Sequence, residues 1–391
     1  MREAVIVEAL RTPLGRGKKG RGDLSGFHPA SLLGTLIDAV NEKSGLGPED
    51  VEQVIGGCVT QAGEQGGNII RHGVLARNKG WSVGGTTVDT QCGSSQQTNN
   101  MVRALVQAGS MDIGIAAGVE VMSRVGLGMN VMNGPGFMWP DDWKWDSPPE
   151  QFTAAQRIAD KRGITRKDVD ELAYRSQKLA KAARDGGRFK REIVPINAPI
   201  VDEDGIPTGD SKLVEQDQGI RDTTLEKLGE LNSVFDEYIH TPGNSSQVTD
   251  GAAAVLWMTV DKAKELGLKP RARILQDVVV GADPYYLLDG PINATERCLQ
   301  KAGMSMSDLD LYEVNEAFAS VVLSWVQTMK ADMDKLNVNG GAIALGHPVG
   351  ATGARLIITA LHELERQDKN TALITMCCGA SVGTATIIER L

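Results

Sequence analysis

The sequence predicts an α/β protein whose sheets are largely buried between helices. Two regions alternate strand-like apolar segments with amphipathic helical segments, which is typical of βαβ units. Both regions follow the same order of strand, glycine-rich turn, helix and apolar strand, which favours a duplicated topology over two unrelated βαβ pieces. Residues 121–247 break this alternation and predict an inserted lid or binding segment.

The first region contains predicted strands rich in β-branched and small apolar residues, separated by helices. The helices are the apolar-periodic stretches at residues 29–45 and 95–109. The strands are AVIVEAL, VEQVIGGCV, TTVDT and MDIGIAAGVEVMS.

The second region repeats this pattern after a different middle segment. Its predicted helices are PINATERCLQKAG and TGARLIITALHELERQ. Its predicted strands are RARILQDVVVGA, DLYEVNEAF, VNGGAIAL, TALITMCCG and TATIIER. In the middle segment, a stretch rich in Met, Trp, Gly and Pro precedes one charged helical stretch, TAAQRIADKRGITRKDVDELAYRSQKLAKAARDG.

Composition narrows the class of protein. The chain has 391 residues, 41% apolar content and a net charge of -9, so it can bury a large core, and its acidity argues against nucleic acid or an anionic membrane as a partner. Its five cysteines include no CxxC pair, which argues against a zinc site and a disulfide framework. No segment approaches the roughly 18 apolar residues of a membrane span, and neither end carries a recognisable address, so we expect a soluble cytoplasmic protein.

Cys92 lies where a predicted strand meets a predicted helix, in the stretch VDTQCGSSQQTNN. The partial positive charge and free N–H groups of a helix N-terminus favour a thiolate, and the small residues that follow leave room for a substrate. On this stretch alone a buried structural thiol is the stronger interpretation, and a nucleophile is the alternative.

His347 lies between Gly346 and Pro348, in a glycine-dense turn before a predicted helix. Proline stiffens such a turn and glycine lets the backbone approach a ligand, so this setting favours a functional histidine over a core one. The other histidines lack such a setting, and His362, on an amphipathic helix, is expected at the surface.

Two further stretches are candidates for the same chemistry. A buried strand delivers Cys377 and Cys378 into a Gly/Ala/Ser turn, which fits an oxyanion site as well as it fits a simple hairpin with packed cysteines. Asn315 and Glu316 end an apolar strand in EVNEAFAS, and alone they indicate little. A nucleophilic cysteine, a histidine base, a second cysteine and an asparagine together make a complete set for acyl transfer.

In this order, the motifs resemble those of the thiolase superfamily over the whole chain. Cys92 in its CGS setting resembles the nucleophile motif, and the NEAF, GHP and CxG motifs stand at residues 315–318, 346–348 and 377–379. The stretch TPGNSSQVTDGAAA resembles the family's CoA-contacting loop. The resemblance implies the thiolase fold, in which two duplicated βαβαβαββ halves form a five-layered α-β-α-β-α core with an inserted loop domain.

The resemblance also implies how the chain is divided and assembled. Residues 1–120 with 248–270 would form the N-terminal half, residues 121–247 the loop domain that binds CoA and acyl groups, and residues 271–391 the C-terminal half. By the same analogy we expect a homodimer or a homotetramer.

For the chemistry, the resemblance implies an acyltransferase that cleaves a 3-oxoacyl-CoA with CoA. Cys92 would attack the 3-oxo carbonyl after His347 takes its proton, and Cys377 would protonate the departing acetyl-CoA enolate. His347 with a water held by Asn315 would stabilise that enolate. The N–H groups of Cys92 and Gly379 would stabilise the tetrahedral intermediate.

Coenzyme A is then expected as a co-substrate, with no metal and no permanently bound cofactor. Ser246 would lie near the pantetheine arm, and Phe235, Ala317 and Phe318 would line its tunnel. Arg221 would meet the nucleotide end, where a guanidinium suits phosphate. Because adjacent strand residues face opposite sides, the cysteine that follows Cys377 would be packed away from the site.

Departures from the family pattern bear on the acyl substrate. A Ser-Gln pair at residues 95–96 replaces a commoner Gly-Leu pair, and is expected to report which acyl chain fits. An Ala-Ser pair at residues 380–381 replaces two glycines and would reshape a wall of the site. A Gln-Phe pair at residues 151–152 replaces the His-Met of short-chain biosynthetic thiolases, which favours a degradative enzyme with a wider acyl pocket.

Three stretches, VEQVIGGCVTQ, LDGP and NVNGGAIALGHPVG, look like actinobacterial thiolases that shorten steroid side chains. The Met- and Trp-rich residues 129–145 would then wall a bulky apolar acyl group. A short-chain acetoacetyl-CoA thiolase is the main alternative. Because Cys92 and His347 are both present, a non-catalytic lipid-binding relative is disfavoured, and the second cysteine with NEAF disfavours ketoacyl synthase chemistry.

Overall fold

The computed structural model describes residues 2–77, 80–132 and 135–391. Within these residues the strands are β1 (Ala4–Arg11), β2 (Gly15–Arg16), β3 (Gln53–Gly57), β4 (Gly84–Val88), β5 (Ile113–Val121), β6 (Ile196–Val201), β7 (Pro207–Val214), β8 (Thr249–Thr259), β9 (Ala272–Gly281), β10 (Leu311–Val314), β11 (Thr371–Cys378) and β12 (Val382–Arg390). The α-helices are α1 (Pro29–Lys43), α2 (Ile69–Leu75), α3 (Ser94–Ala108), α4 (Met129–Met132), α5 (Gln151–Arg162), α6 (Arg166–Asp185), α7 (Leu225–Gly229), α8 (Val260–Glu265), α9 (Gly290–Ala302), α10 (Ala319–Met329), α11 (Ala342–Leu345) and α12 (Thr352–Gln367).

One mixed sheet runs through the protein, and its two parts repeat one topology. The first part has the strand order β1-β8-β5-β3-β4 and the second has the order β9-β12-β11-β10. The parts meet where Ile6 of β1 pairs with Ala272 of β9. In both parts the strands beside this junction are antiparallel and the outer strands are parallel. The duplicated topology that the sequence predicts is therefore confirmed.

The predicted strand VNGGAIAL is wrong. Leu336, just before it, forms a single parallel bridge with Tyr312, and the second half of the segment is the short helix α11. The side-chain amide of Asn337 pairs with Val314 instead, accepting from its N–H at 2.9 Å and donating to its carbonyl at 2.9 Å. A side chain thus replaces the backbone of a neighbouring strand, and Asn337 itself adopts a left-handed φ of 43°.

The predicted single helix in the middle segment is two helices, α5 and α6. Gly163, with a φ of 63°, ends α5 in the left-handed conformation that glycine adopts at little cost. Thr165 then begins α6 with a capping box, in which its side chain bonds the backbone of Asp168 and the carboxylate of Asp168 bonds the backbone of Thr165. A helix stop and a helix start in three residues explain the break.

Helices and the two parts of the large sheet form five layers around the three largest of five apolar clusters. Helices α1 and α2 cover the outer face of the first part of the sheet, and α9 and α10 cover the outer face of the second part. Helices α3 and α12 pack against each other between the two parts, around the central core. The first two turns of α3 and nearly all of α12 are accordingly buried on more than one face, which places the start of both helices at the centre of the molecule.

Close backbone approach explains two glycines that lead into α12. A Cβ on Gly353 would lie 2.3 Å from the backbone nitrogen of Gln96 in α3. A Cβ on Gly350 would lie 2.6 Å from Oε2 of Glu120 in β5, which accepts the Gly350 N–H at 3.0 Å. Gly350 therefore lets the turn before α12 lie directly against β5, and Gly353 lets the first turn of α12 lie directly against α3.

His362 is not at the surface, contrary to the sequence-based expectation. Its side chain is 5% exposed, and Nε2 donates to the carbonyl of Ala9 at 3.0 Å. Burial is the largest effect that lowers the pKa of His362 to about 3, so the ring is neutral. Helix α12 lies between the two parts of the large sheet, and its polar positions are covered as well as its apolar ones.

The segment between β5 and β8 contains α4 to α7 and the β6–β7 hairpin. We propose that residues 121–247 form the loop domain and that residues 1–120 with 248–270 and residues 271–391 form the two halves. In the described part of the chain, none of the helices has the length and apolar content needed to span a membrane.

Candidate active site

Cys92 lies in the turn between β4 and α3, as the sequence predicts. Gly93 caps α3, which begins at Ser94, so the sulfur lies just before the helix. The thiol is only 6% exposed, and burial raises its pKa to about 12, although the N–H groups of Gly379 and of Cys92 itself oppose this by donating to the sulfur. Loss of solvent therefore outweighs the stabilising effect of the helix N-terminus on a thiolate, which leaves the removal of the Cys92 proton to a base.

Gly379 belongs to the tight turn that joins β11 to β12. Its N–H donates to the Cys92 sulfur, so two backbone N–H groups converge on this atom. Such a pair can stabilise negative charge on an oxygen bound at the same place. The next two residues, Ala380 and Ser381, both adopt left-handed φ values of 60° and 57°.

The two adjacent cysteines at the end of β11 face opposite sides of the sheet, as strand alternation predicts. Cys377 packs with Ala317 and Phe318, and burial is the largest effect that raises its pKa. A neutral thiol at this place can donate a proton. Cys378 packs in the central core, and its sulfur accepts from the N–H of Gly93 and is hydrogen bonded to the side chain of Thr384.

His347 is held between Asn315 and Thr352. Its Nδ1 lies 2.6 Å from the Thr352 hydroxyl oxygen, and its Nε2 lies 3.4 Å from Nδ2 of Asn315. The single hydroxyl proton of Thr352 is donated to the carbonyl of Pro348 at 2.9 Å, so the hydroxyl accepts the proton on Nδ1. Nε2 is then the basic nitrogen of the ring.

Electrostatics keep this base unprotonated. His347 is 5% exposed, and burial, followed by the positive charge of Arg355, lowers its pKa to about 3. A neutral imidazole can therefore accept a proton at physiological pH.

Asn315 and Glu316 fix the end of β10 beneath the histidine. The backbone of Asn315 donates to Thr375 of β11 at 3.1 Å, and its side-chain Oδ1 has no hydrogen-bond partner among the described residues. Glu316 accepts from Ser176 of α6 at 2.6 Å and from Asn337 at 3.0 Å. Glu316 thus fixes the position of the NEAF motif through these hydrogen bonds, while the amide oxygen of Asn315 is available to bind a further donor in the site.

The stretch of residues 241–247 is attached to the NEAF motif by backbone hydrogen bonds. The N–H of Ser246 donates to Ala317 at 2.9 Å, and the N–H of Ala319 donates to Asn244 at 3.1 Å. The N–H of His347 in turn donates to the carbonyl of Gln247 at 3.0 Å. Three motifs that are far apart in the sequence therefore share one hydrogen-bonded unit.

These residues surround a cavity of about 390 Å³, which we call the first cavity. Its volume lies within the range of small-molecule sites. Five of the predicted site residues line it, and they are Cys92, Ser246, Ala317, Phe318 and His347. Asn315, Cys377 and Gly379 do not line it but contact residues that do.

Phe235 lies outside the first cavity, at the end of a row of aromatic rings. Phe318 packs edge to face on Phe152 with a centroid distance of 4.9 Å, and Phe152 packs on Phe235 at 5.9 Å. Phe235 is 44% exposed, so it forms the outer end of this row and not the cavity wall. Phe235 was predicted to line the pantetheine tunnel, but it contacts the cavity only indirectly, by packing on Phe152, which lines it.

Arg221 is exposed and also lies outside the first cavity. Its Nη2 donates to Oε1 of Gln247 at 3.1 Å, and Gln247 lines the cavity. The part of the guanidinium that faces Gln247 is partly buried, and this partial burial, followed by the positive charge of Arg16, lowers the pKa of Arg221. Two guanidinium groups therefore stand at the outer side of the 241–247 stretch, where they suit an anionic group.

The Ser-Gln pair beside the nucleophile does not face the substrate space, contrary to expectation. Ser95 accepts from the N–H of Ala354 at 2.9 Å, and Gln96 donates to the carbonyl of Ile374 at 3.1 Å. Both side chains are fully buried in the central core. Their polar groups link α3 to α12 and β11 by hydrogen bonds, so these two residues stabilise the packing between the halves and do not contact the acyl chain.

Sequence reasoning missed Thr352, Gln247 and Gln91 as site residues. Thr352 orients His347, and Gln247 connects the cavity to Arg221. Gln91 lines the first cavity immediately before Cys92. The only feature of the sequence that could have identified these three residues is their position, since each lies within five residues of a predicted site residue. Within the described residues, no cluster of three or more His, Cys, Asp or Glu side chains has the arrangement of a metal site.

Comparisons with known proteins agree over the whole chain. A family model described as the thiolase N-terminal domain matches residues 4–261, and one described as the thiolase C-terminal domain matches residues 268–390. The steroid 3-ketoacyl-CoA thiolase FadA6 of Mycobacterium tuberculosis is 39% identical over 400 residues, covering 100% of this chain and 95% of that protein. A 3-ketoacyl-CoA thiolase of Colwellia psychrerythraea is 40% identical over 397 residues, covering 100% of both proteins.

A solved structure shares the fold as well. The acetyl-CoA acetyltransferase of Bacillus anthracis superposes with a TM-score of 0.88 at 32% sequence identity, covering 100% of this chain and 99% of that one. The fold predicted from the sequence is therefore confirmed. The chain belongs to the thiolase family and is an acyltransferase.

Proposed function

We propose that this thiolase is a degradative 3-ketoacyl-CoA thiolase, in which Cys92 carries the acyl group between two CoA molecules. The observation that carries the proposal is that the neutral base His347 and the thiol of Cys92 line one cavity, while the N–H of Gly379 reaches the Cys92 sulfur from beside it. Cys377 and Asn315 adjoin this group of residues. The set supplies a nucleophile, a base, an acid and two places for negative charge.

In the first half-reaction, Nε2 of His347 takes the proton of Cys92, and the sulfur forms a bond to the 3-oxo carbon of the substrate. The tetrahedral oxyanion accepts from the N–H groups of Cys92 and Gly379. The bond between C2 and C3 then breaks, and its electron pair goes to C2 as the acetyl-CoA enolate. Cys377 gives its proton to C2, which leaves acetyl-CoA, an acyl-Cys92 thioester and a Cys377 thiolate.

In the second half-reaction, the Cys377 thiolate takes the proton of an incoming CoA thiol. The CoA sulfur attacks the thioester carbon, and the Cys92 sulfur leaves and recovers its proton from His347. The products are acetyl-CoA and an acyl-CoA shortened by two carbons, and every group returns to its starting state. The enolate oxygen of the first half-reaction is stabilised by His347 together with Asn315, through a water that the Asn315 amide holds.

CoA enters through the first cavity. Ser246, Ala317 and Phe318 contact the pantetheine arm, and Phe235 supports this wall through Phe152. Arg221 binds the phosphates of the nucleotide end, together with the neighbouring positive charge. CoA acts as co-substrate, and the protein needs no permanently bound cofactor or metal.

The acyl substrate is larger than acetoacetyl. The names of two full-length relatives, a steroid 3-ketoacyl-CoA thiolase and a 3-ketoacyl-CoA thiolase, support β-oxidation of a lipid or a steroid side chain. Phe152 occupies the cavity wall beside Gln151, where short-chain enzymes carry His-Met. A short-chain acetoacetyl-CoA thiolase is the second candidate, and the fold of an acetyl-CoA acetyltransferase favours it.

The assembled protein is a homodimer or homotetramer in the cytoplasm. Strand β4 supports the assembly into a dimer or tetramer, because it ends the large sheet and, among the described residues, pairs only with β3. An open strand edge of this kind is suited to pairing with a second copy. All five cysteines are free thiols, which supports a reducing compartment.

The test is thiolysis of acetoacetyl-CoA, 3-oxododecanoyl-CoA and a steroid side-chain 3-oxoacyl-CoA by the wild-type protein and its cysteine variants. We expect Cys92→Ala to lose at least about 1000-fold in kcat, with the acyl adduct on the Cys92 peptide absent from the mass spectrum. Cys377→Ala is expected to lose activity, whereas the matched control Cys378→Ala keeps it. Equal turnover by Cys92→Ala would refute the mechanism, and strong preference for acetoacetyl-CoA would support the short-chain candidate.

A further inference from the structure

A second cavity, of about 510 Å³, adjoins the first one. Gln91, Glu150 and Gln151 line both cavities, so they form the partition between them. Gly379, whose N–H donates to the Cys92 sulfur, lines the second cavity. The second cavity therefore begins beside the nucleophile.

The wall of the second cavity is mostly apolar and aromatic. Trp139 and Trp143 stack in parallel, with centroids 5.7 Å apart and an interplanar angle of 6°. Trp143 donates to the hydroxyl of Ser147 at 3.1 Å, which fixes its ring. Three prolines and Leu287 complete much of the remaining wall. Such a surface favours a large apolar ligand with a flat body over a methyl group.

Gln91 is a fixed part of the partition. Its φ is 51°, a left-handed value that is uncommon for a residue with a side chain. Its N–H donates to Asp89 at 2.7 Å, and its side-chain amide bonds the same carboxylate at 3.3 Å and 3.4 Å. Its Oε1 lies so close to Gly379 that a Cβ there would be 2.8 Å away.

Ping-pong chemistry requires two separate spaces at Cys92. The acyl group stays on the sulfur while one CoA molecule leaves the first cavity and another enters it. An acyl chain that lay in the first cavity would obstruct the second CoA. The second cavity lies beyond Gln91 and begins at Gly379, so an acyl chain bound there would leave the first cavity open to the incoming CoA.

We propose that the second cavity binds a large apolar acyl group of the substrate and that Gln91, held by Asp89, determines which acyl groups pass into it. This inference rests on the thiolysis proposed above. Trp139 and Trp143 stabilise the bound group through ring contact, and Gln91 separates it from the pantetheine arm. Ala380 and Ser381, which stand where the family pattern has two glycines, line the same cavity, so their side chains change the shape of its wall.

The kinetic test uses the ratio of kcat/KM for 3-oxododecanoyl-CoA to kcat/KM for acetoacetyl-CoA. Trp143→Ala removes half of the stacked pair, and we expect it to lower this ratio about tenfold. Gln91→Phe narrows the passage and is expected to lower it by a similar factor. Trp145→Ala is the matched control, because Trp145 lies in the same segment, is 61% exposed and does not line either cavity, and its ratio should stay at the wild-type value.

A photo-crosslinking test locates the acyl group directly. The probe is a 3-oxoacyl-CoA with a twelve-carbon chain (on the order of the length that the cavity holds) and a diazirine at its far end. Crosslinking to the peptide that carries Trp139 and Trp143 supports the proposal. Crosslinking to Leu127 or Val248 of the first cavity would overturn it.

Different results would refute the proposed thiolysis and the proposed acyl site in the second cavity. If the wild-type protein cleaves none of the 3-oxoacyl-CoA substrates, the proposed function is wrong, and the acyl site falls with it. If the wild-type protein cleaves them and Trp143→Ala and Trp145→Ala share the wild-type ratio, thiolysis stands and the acyl site in the second cavity is wrong.

Discussion

The hydroxyl of Thr352 lies 2.6 Å from Nδ1 of His347 and donates its own proton to the carbonyl of Pro348. This relationship decides which ring nitrogen is the base, because a hydroxyl that has given its proton away can only accept the one on Nδ1. The N-terminal turn of α12 thus orients the histidine that precedes it. Thr352 is a positioning residue, since it acts on the reaction through His347.

Replacing Thr352 by Val should therefore impair catalysis without removing the base. The isosteric side chain leaves the Nδ1 proton unpaired, and we expect kcat to fall about 10- to 100-fold as the ring loses its orientation. The rate of Cys92 alkylation by iodoacetamide should fall in parallel, because the same histidine takes the thiol proton. Thr352→Ser keeps the hydroxyl and should restore both rates; a kcat loss of equal size in Thr352→Ser would point to packing alone.

A second prediction concerns Glu313, a buried carboxyl group on β10. Arg355 lies 3.7 Å away, yet burial raises the pKa of Glu313 to about 8. Because this folded-state pKa exceeds the ordinary glutamate value of 4.5, the folded protein retains a proton that the unfolded chain loses, and stability is lost as pH rises from about 4.5 to about 8. The window therefore lies on the alkaline side of the unfolded pKa.

Glu313→Gln removes this dependence. The free energy of unfolding of the variant, relative to that of the wild type, should increase by about 1.4 kcal/mol per pH unit up to pH 8 and then level off. Urea titrations at several pH values between 6 and 9 (roughly the accessible part of the window) measure it. A difference between the two proteins that stays constant with pH would contradict the prediction.

Most of the strands and helices follow from patterns within single segments, and these were predictable. The failures share a physical cause, which is that a partner from elsewhere in the chain decides the outcome. The predicted strand VNGGAIAL does not form because the side chain of Asn337, just before it, pairs with Val314, and His362 is buried because α12 has one part of the large sheet on each side. Neither partner is visible in the local sequence.

The candidate site shows the same division. The motifs around Cys92 and His347 were recognisable because residue type and spacing encode them. The raised pKa of Cys92 could not be predicted from the sequence, because it depends on how the two halves of the protein bury the sulfur. Gln91 was also missed, since its importance comes from the two cavities that meet at its side chain.

The turn after Gly379 yields a third prediction. Ala380 and Ser381 hold φ values of 60° and 57°, which cost an L-residue roughly 1–2 kcal/mol each. Ala380→Gly and Ser381→Gly should therefore each raise the free energy of unfolding by about 1 kcal/mol. Ala385→Gly is the control, because Ala385 is buried in the extended strand β12 and its loss should destabilise. Lower stability of Ala380→Gly in urea titrations would show that the turn is not strained.

The last prediction separates packing from specificity beside the nucleophile. Gln96 is fully buried, donates to the carbonyl of Ile374 at 3.1 Å and to Thr386 at 2.8 Å, and accepts from Thr384 at 2.7 Å. Gln96→Leu, which introduces the residue commoner in the family, leaves the Thr384 hydroxyl without its acceptor and removes a donor from Ile374 and from Thr386, whose hydroxyl keeps its bond to Asn100. We expect it to lower the free energy of unfolding by about 2–4 kcal/mol, since each buried unpaired group costs roughly 1–3 kcal/mol.

Gln97→Leu is the matched control for Gln96→Leu. Gln97 is half-buried and accepts from Asn100 at 3.2 Å, so its loss should cost less than about 1 kcal/mol. The ratio of kcat/KM for a long-chain to a short-chain 3-oxoacyl-CoA should be unchanged in Gln96→Leu, because this side chain faces the core between the halves. A changed ratio with unchanged stability would reverse the assignment and make Gln96 a residue that selects the acyl chain.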